Sequence, residues 1–423
     1  MVSPTYTAPR LAALLGGPGI DGSLNGLDDP KSGWQLAESL GLAQPARASI
    51  ELLSSPDVLF AQLDGTSLKE LVLRVEWARL EPAEGELNKE ALAAWVAIAR
   101  HAKAQGIGVE VVLNGGVLPA WLGTEGWLLP ATPERFASLA RGVAEAMGEH
   151  VDGVITLEAP ARFVVAGWVL GLAPPFRRAA MRDALAALDG MLSGHLLSLQ
   201  ALRAEGPPLE LSLLPSGGHL GELEAALLGA PGDVLPQALS SVVAGQSPGR
   251  ARALAREVTA PWGTRAWAVV GRGAGPREGA ASSMLEVLSG TARPSAEEVE
   301  HALRRAQGRS SSGDVSLLWR RSAAVIEEGG KRTVSSGSSL LEAAPPVVEG
   351  IVRCAEHGPL PDRLVLGELV DRWEMGSYDV REGLLGVEHR RAGVEHARLL
   401  SSDSAGNDAL GALRELDGLL AKG

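Results

Sequence analysis

Between residues 70 and 205, short apolar runs alternate with longer segments whose apolar positions recur at helical spacing. Residues 71–77 form an apolar run followed by Glu81, Pro82 and Gly85, the sign of a buried strand that ends in a turn. Asn88 suits a helix N-cap; Leu92, Trp95, Val96 and Ala99 then share one face, and Gly106 closes the helix. Residues 108–113 read as the next strand. Thr132-Pro133-Glu134 opens a second helix, because proline is tolerated in the first turn and glutamate complements the helix dipole there. Phe136, Leu139, Ala140 and Val143 give that helix its buried stripe. Residues 151–157 are a third strand, and a long helix is expected over about 178–203. Strands and helices alternating at this spacing imply parallel strands joined by right-handed crossovers.

The rhythm continues less cleanly through strand candidates at 209–214, 265–270 and 364–369, and it ends on an amphipathic helix at 409–420. Residues 271–292 and 306–313, rich in Gly, Ser and Pro, read as loop insertions. The pattern predicts an α/β fold, one (β/α)8 TIM barrel spanning 1–423 as a single domain.

Charge narrows the partners. Fifty-one acidic against thirty-nine basic side chains give a formal net charge of -12. Such a surface repels phosphate backbones and anionic lipid, so no nucleic acid and no membrane insertion are expected. Residues 1–17 carry neither a basic start with a sustained apolar stretch nor a small-residue cleavage site, and a cytoplasmic protein is expected. A lone cysteine, Cys354, leaves no intrachain disulfide. The eight histidines are scattered without metal-ligand spacing, so no metal is expected. Gly271-x-Gly273-x-Gly275 is broken by Pro276 and lacks an acidic partner, so no cofactor is expected either. The absence of a Gly-x-Ser-x-Gly elbow leaves serine hydrolase chemistry without support.

Several phrases resemble, in order and spacing, the signatures of family 1 glycoside hydrolases, the β-glucosidase and β-galactosidase family. Val75-Glu76-Trp77-Ala78-Arg79-Leu80-Glu81-Pro82, with Gly85 and Asn88 after it, is similar to the second-strand phrase. Leu118-Pro119-Ala120-Trp121-Leu122 resembles the third-strand L-P-x-W-L, and Gly126-Trp127-Leu128 and Arg135-Phe136-Ala137 follow. Ile155-Thr156-Leu157-Glu158-Ala159-Pro160 resembles T-L-N-E-P, trailed by Gly167, Gly171 and Pro174. Asp371-Arg372-Trp373-Glu374 and Gly383-Leu384 resemble the phrases at the last strand. The resemblance is dense for about 135 residues and sparse elsewhere, and it implies the family's barrel.

The same resemblance implies a dismantled site. Retaining glycosidases use two carboxyl groups about 5–5.5 Å apart, one as acid/base and one as nucleophile. The acid/base position falls at Ala159, and its loss alone removes general acid catalysis, typically worth about 10²–10⁴-fold. Glu158 stands at the preceding Asn position, either as a relocated acid or as a carboxylate that fills the old pocket. The nucleophile position falls either at Glu327, within Val325-Ile326-Glu327-Glu328-Gly329, or at Trp319, which would leave no nucleophile. The family's second-strand Arg falls at Val72, its third-strand His-Trp pair at Gly115 and Gly116, and its sixth-strand Asn-Tyr-Tyr at Val270, Gly271 and Arg272. The first-strand Gln falls near Ser23, and His195 matches a helix histidine expected to pack. Glu374, with Trp373 beside it, matches a hydroxyl-binding glutamate and is the expected substrate-binding residue.

Aromatic residues are only 4% of the chain, with two tyrosines, Tyr6 and Tyr378, which supplies few rings for stacking against a sugar. No catalytic residue is therefore expected, with Glu327 and Glu158 as the candidates if one survives. The expected function is a catalytically inactive barrel working with a protein partner or in a larger assembly. A retaining β-glycosidase with altered residues and a non-catalytic saccharide-binding protein are the alternatives. Lost side chains leave volume that something must fill. A narrowed mouth is thus expected, with Arg74 within salt-bridge distance of Glu76 or Glu158.

Overall fold

The computed structural model describes residues 6–17, 21, 32–43, 50–228, 249–271, 294–320, 324–328, 331–335, 340–369, 384–385, 387–389, 397–402 and 408–422. Eight parallel strands form a nearly closed (β/α)8 barrel: β1 (Arg10–Leu15), β2 (Leu68–Arg74), β3 (Gly108–Asn114), β4 (Gly153–Glu158), β5 (Glu210–Leu214), β6 (Ala266–Gly271), β7 (Val315–Arg320) and β8 (Arg363–Glu368). Their order is β5-β4-β3-β2-β1-β8-β7-β6. No ladder joins β5 to β6. The segment before β6 closes that seam, with Leu213 N–H donating to the Trp262 carbonyl (3.2 Å) and Thr264 N–H to that of Leu211 (2.7 Å). An antiparallel hairpin (Ala324–Glu328 with Lys331–Ser335) follows β7. Among the described residues, no helix is long and apolar enough to cross a membrane.

Helix signals behave as the sequence predicts at Asn88, whose side chain accepts from the N–H groups of Glu90 and Ala91, both at 3.1 Å, to cap helix Lys89–Ala104. The helix over Thr132–Met147 instead takes Ala131 as its N-cap, and the Thr132 hydroxyl donates to the Gly126 carbonyl (2.8 Å). The expected loop at 306–313 overlaps the end of helix Ala296–Gln307 by two residues. Most of the expected insertion at 271–292 lies outside the described residues.

β2 stops at Arg74 rather than at 77. Residues Trp77–Leu80 form a helical turn whose indole, Trp77, packs outside the barrel against Trp121 (centroids 6.2 Å), Trp127 (5.7 Å) and Phe136 (5.3 Å). Trp77 Nε1 donates to Glu81 Oε2 (2.7 Å), Gly85 N–H donates to the other Glu81 oxygen (2.7 Å), and Trp121 Nε1 donates to the Glu81 carbonyl (2.8 Å). The signature phrases of the sequence thus meet one another in a wall between strands and helices. The rings bury one another there, so these residues specify the scaffold.

Inside the barrel, strand alternation stacks three layers. The middle layer is apolar: Ala12, Leu14, Val72, Val112, Ile155, Leu214, Trp267, Leu318 and Val365, all buried. Beneath it, at the N-terminal ends, Arg363 bridges Glu70 (Nη1–Oε2, 2.8 Å) and Glu110 (Nη2–Oε2, 2.6 Å), donates from Nε to Ser316 Oγ (2.7 Å) and lies over the Trp267 ring (4.7 Å). Arg265 adds ion pairs to Glu210 and Asp362. The third layer, at the C-terminal ends, is also ionic.

Candidate functional site

Four strand ends deliver the upper layer. Arg74 ends β2 and follows Val72 on the inward face in regular alternation. Arg320 ends β7 two residues after inward Leu318. The two carboxylates need a break in the alternation. Ile155 points inward, Leu157 joins the outer core, and the β4–β5 register shifts between Ile155 and Glu158, which turns Glu158 into the barrel. On β8 the register shifts between the pairs Ala12–Val365 and Leu14–Glu368, with Gly367 at φ +74°, and Glu368 turns inward beyond it. That left-handed backbone favours glycine, and strand irregularities of this kind re-aim side chains.

The result is a buried set of ion pairs. Arg74 Nε and Nη2 donate to Glu158 Oε2 (2.6 Å) and Oε1 (2.8 Å), while Nη1 and Nη2 donate to Glu368 Oε2 (2.7 Å) and Oε1 (2.8 Å). Arg320 Nη2 donates to Glu158 Oε1 (2.7 Å). The four side chains are only 1–8% exposed. Burial alone would lower the Arg74 pKa, but Glu158 and Glu368 more than offset it, and the pKa rises well above the ordinary arginine range.

Of the two pairings expected for Arg74, the structure forms the one with Glu158. Glu76 lies past the strand end and pairs with Arg79 (3.0 Å). Beside it, Asp21 is buried and accepts from Gly17 N–H (3.1 Å). Desolvation, then the Glu76 carboxylate, pushes the Asp21 pKa well above its usual range, opposed by Arg79.

The vacated family positions are filled from the sides. A Cβ on Gly115 would stand 3.0 Å from Arg74 Cδ, and one on Gly116 would stand 3.3 Å from a Phe163 ring carbon. Val72 belongs to the apolar middle layer. Ala159 is 6% exposed and adopts φ +48°, ψ +54°, an uncommon backbone for a residue with a side chain. Its N–H donates to the Leu214 carbonyl (2.8 Å), and Pro160 starts helix Pro160–Val164 directly after it. The strained turn is kept where the resemblance puts the acid, but the side chain there is a methyl group.

Trp319 faces the outer core, so the β7 side chain at the mouth is Arg320, one residue further on. Glu327 sits in the hairpin strand Ala324–Glu328, of which only the backbone is described. Ser23, Arg272, Trp373, Glu374 and Tyr378 lie outside the described residues. Eight of the nine described tryptophans are buried. The ninth, Trp121, lies against Trp77 with Arg135 over its ring. Among the described residues, no group of three or more His, Cys, Asp or Glu side chains could hold a metal ion.

Behind the mouth, two buried groups brace the turn after β4. His195 Nδ1 lies 2.6 Å from Thr156 Oγ1 and Nε2 lies 2.7 Å from the Pro261 carbonyl. Burial pushes its pKa down to about 4, so the neutral ring donates through Nε2 and accepts at Nδ1. Glu224, which the sequence did not single out, accepts from Ala161 N–H (2.8 Å), Ser216 N–H (2.9 Å) and Ser216 Oγ (2.7 Å). Burial pushes its pKa up to about 7.

A carboxyl whose pKa is raised by folding favours the fold most below its unfolded value, and that advantage fades as pH rises through the folded value. Glu224→Gln, which mimics the neutral acid, is therefore expected to flatten the pH dependence of stability between about pH 4.5 and 7. Denaturant midpoints at each pH check this. Parallel wild-type and variant curves across that window would show that Glu224 does not titrate there.

No protein-family model matches the chain, and no curated protein matches it by sequence. Solved structures do. A family 1 β-glucosidase from Thermotoga maritima superposes with a TM-score of 0.77 at 15% identity, covering 99% of this chain and 98% of that one. A β-glucosidase from Exiguobacterium marinum gives 0.74 at 15% identity, covering 99% of each chain. The AHE enzyme from Alicyclobacillus herbarius gives 0.72 at 16% identity, covering 99% of this chain and 100% of that one. The chain has the barrel fold of family 1 β-glucosidases.

Proposed function

We propose that this chain is a catalytically inactive barrel of the family 1 glycosidase type, serving in the cytoplasm as a structural or protein-interaction component. The observation that carries the reading is the Arg74 bridge. Glu158 spends both oxygens on guanidinium groups and Glu368 spends both on Arg74. Neither carboxylate is free to meet a glycosidic oxygen or an anomeric carbon. Both catalytic roles need a carboxyl group that reaches the substrate, and Ala159 offers none. Eight of the nine described tryptophans are buried, which weighs against a saccharide as the partner.

The deciding experiment is an assay of aryl β-glucosides, β-galactosides and β-fucosides with the full chain at mid-micromolar concentration. No hydrolysis above the buffer rate is expected. Turnover that disappears in Glu158→Gln would mean the acid has moved by one residue, and the inactive reading would fall. Turnover lost in Glu327→Gln but kept in Glu158→Gln would assign a surviving nucleophile and overturn it equally. Sedimentation of the tagged chain in native extract is expected to place it in a species heavier than its own 43.9 kDa.

A further inference from the structure

The segments that follow β1, β3 and β4 line a cavity of about 180 Å³ beside the ionic layer. Its walls include Trp34, Leu118, Phe163, Trp168 and Phe176, with Leu36 at the rim, and no charged residue lines it among the described residues. In a chain with 21% charged residues, a neutral lining of this size excludes ions as occupants. Four of the chain's sixteen aromatic residues stand here, although aromatics are scarce overall. Trp34 and Phe176 meet edge to face at 5.7 Å, as do Phe163 and Trp168 at 5.8 Å, so the rings hold one another in place.

Size and polarity then select the occupant. An apolar cavity of about 150 Å³ is already large enough to stay dry and bind benzene. Trp168 is 1% exposed, and its indole N–H has no acceptor among the described residues. Trp95, Trp127 and Trp262 share that condition, but Trp168 alone of the four lines the cavity. That nitrogen is covered by protein, so the cavity presents only the carbon surface of this ring to an occupant. Leu36 and Leu40, which also line the cavity, are 57% and 63% exposed, which gives an apolar route inward.

We propose that this cavity is a binding site for a small uncharged molecule with one aromatic ring. The proposal does not depend on whether the barrel hydrolyses glycosides.

Benzyl alcohol and benzoate share a ring and differ in charge, so they separate the proposal from general stickiness. In ¹⁵N-labelled full-length protein, benzyl alcohol is expected to shift the Trp34 and Trp168 indole N–H signals saturably, with a Kd at or below about 1 mM. Benzoate is expected to bind at least tenfold more weakly. Ala120→Phe, placed on the exposed part of the lining, should weaken benzyl alcohol at least tenfold by filling the cavity. Should that variant misfold, Leu118→Ala provides the second readout, because enlarging the cavity should admit a naphthalene-sized alcohol that the wild type refuses. Linear, unsaturable shifts, equal binding of benzoate, or binding unmoved by both substitutions would each overturn the proposal.

Discussion

Arg74→Met is expected to destabilise the protein by about 3–5 kcal/mol, the range seen when one partner of a dry ion pair is removed. Methionine fills much of the same volume, so the loss is electrostatic rather than a cavity. Without the guanidinium, Glu158 loses its two bonds to Arg74 while keeping its contact to Arg320, and Glu368 loses a two-pronged contact. Both carboxylates touch the same Arg74 nitrogen at 2.8 Å, so they are near neighbours and repel once it is gone. Arg74→Met combined with Glu158→Gln and Glu368→Gln should recover most of the stability, since neutral replacement of a buried ionic set is often close to neutral. Urea unfolding at pH 7 measures all of this. A cost below about 1 kcal/mol would place the network in water, as for surface pairs, and the filled mouth would have to be abandoned.

The scaffold was legible because its signals are local. Asn88 capping a helix, the apolar run of β3 and the Trp77–Glu81 wall all act over a few residues or one turn. Ala159 was legible for the same reason, as a methyl group in a phrase otherwise intact. The β7 position was not. Spacing alone pointed to Trp319 or Glu327, whereas inward alternation from Ser316 and Leu318 brings Arg320 to the mouth. A slip of one residue exchanges the two faces of a strand, so a spacing argument must be right to the residue to name a side chain.

Glu158 illustrates the reverse case. Regular alternation from Ile155 would have aimed Leu157 inward, and only the register shift turns Glu158 in. The lower ionic layer left a signal that was passed over. Glu70, Val72 and Arg74, like Glu110, Val112 and Asn114, put polar residues two apart on an inward face whose centre is apolar. Their partner Arg363 is 293 and 253 residues away, a pairing that local pattern cannot supply.

That lower layer supports the second large effect. Arg363→Met should also cost about 3–5 kcal/mol, since the guanidinium is buried and holds Glu70, Glu110 and Ser316 at once. Burial already pushes the Glu110 pKa up, with Arg363 the first influence opposing it. Removing that influence should raise it further, so the variant should gain stability relative to wild type as pH falls toward 4.5. The cation–π contact with Trp267 disappears as well, which a change in tryptophan fluorescence should report. Arg74 and Glu70 lie four residues apart on β2, about 13 Å along a strand, with the apolar layer between them. At that separation the two losses should add. Their sum would consume most of the roughly 5–15 kcal/mol that holds a typical protein folded. Each single variant is therefore expected to fold, and Arg74→Met with Arg363→Met is expected to lose its near-ultraviolet circular dichroism at 25 °C. A double variant no less stable than the weaker single one would show that the apolar layer couples the two ionic layers, and that they stabilise the barrel as one unit.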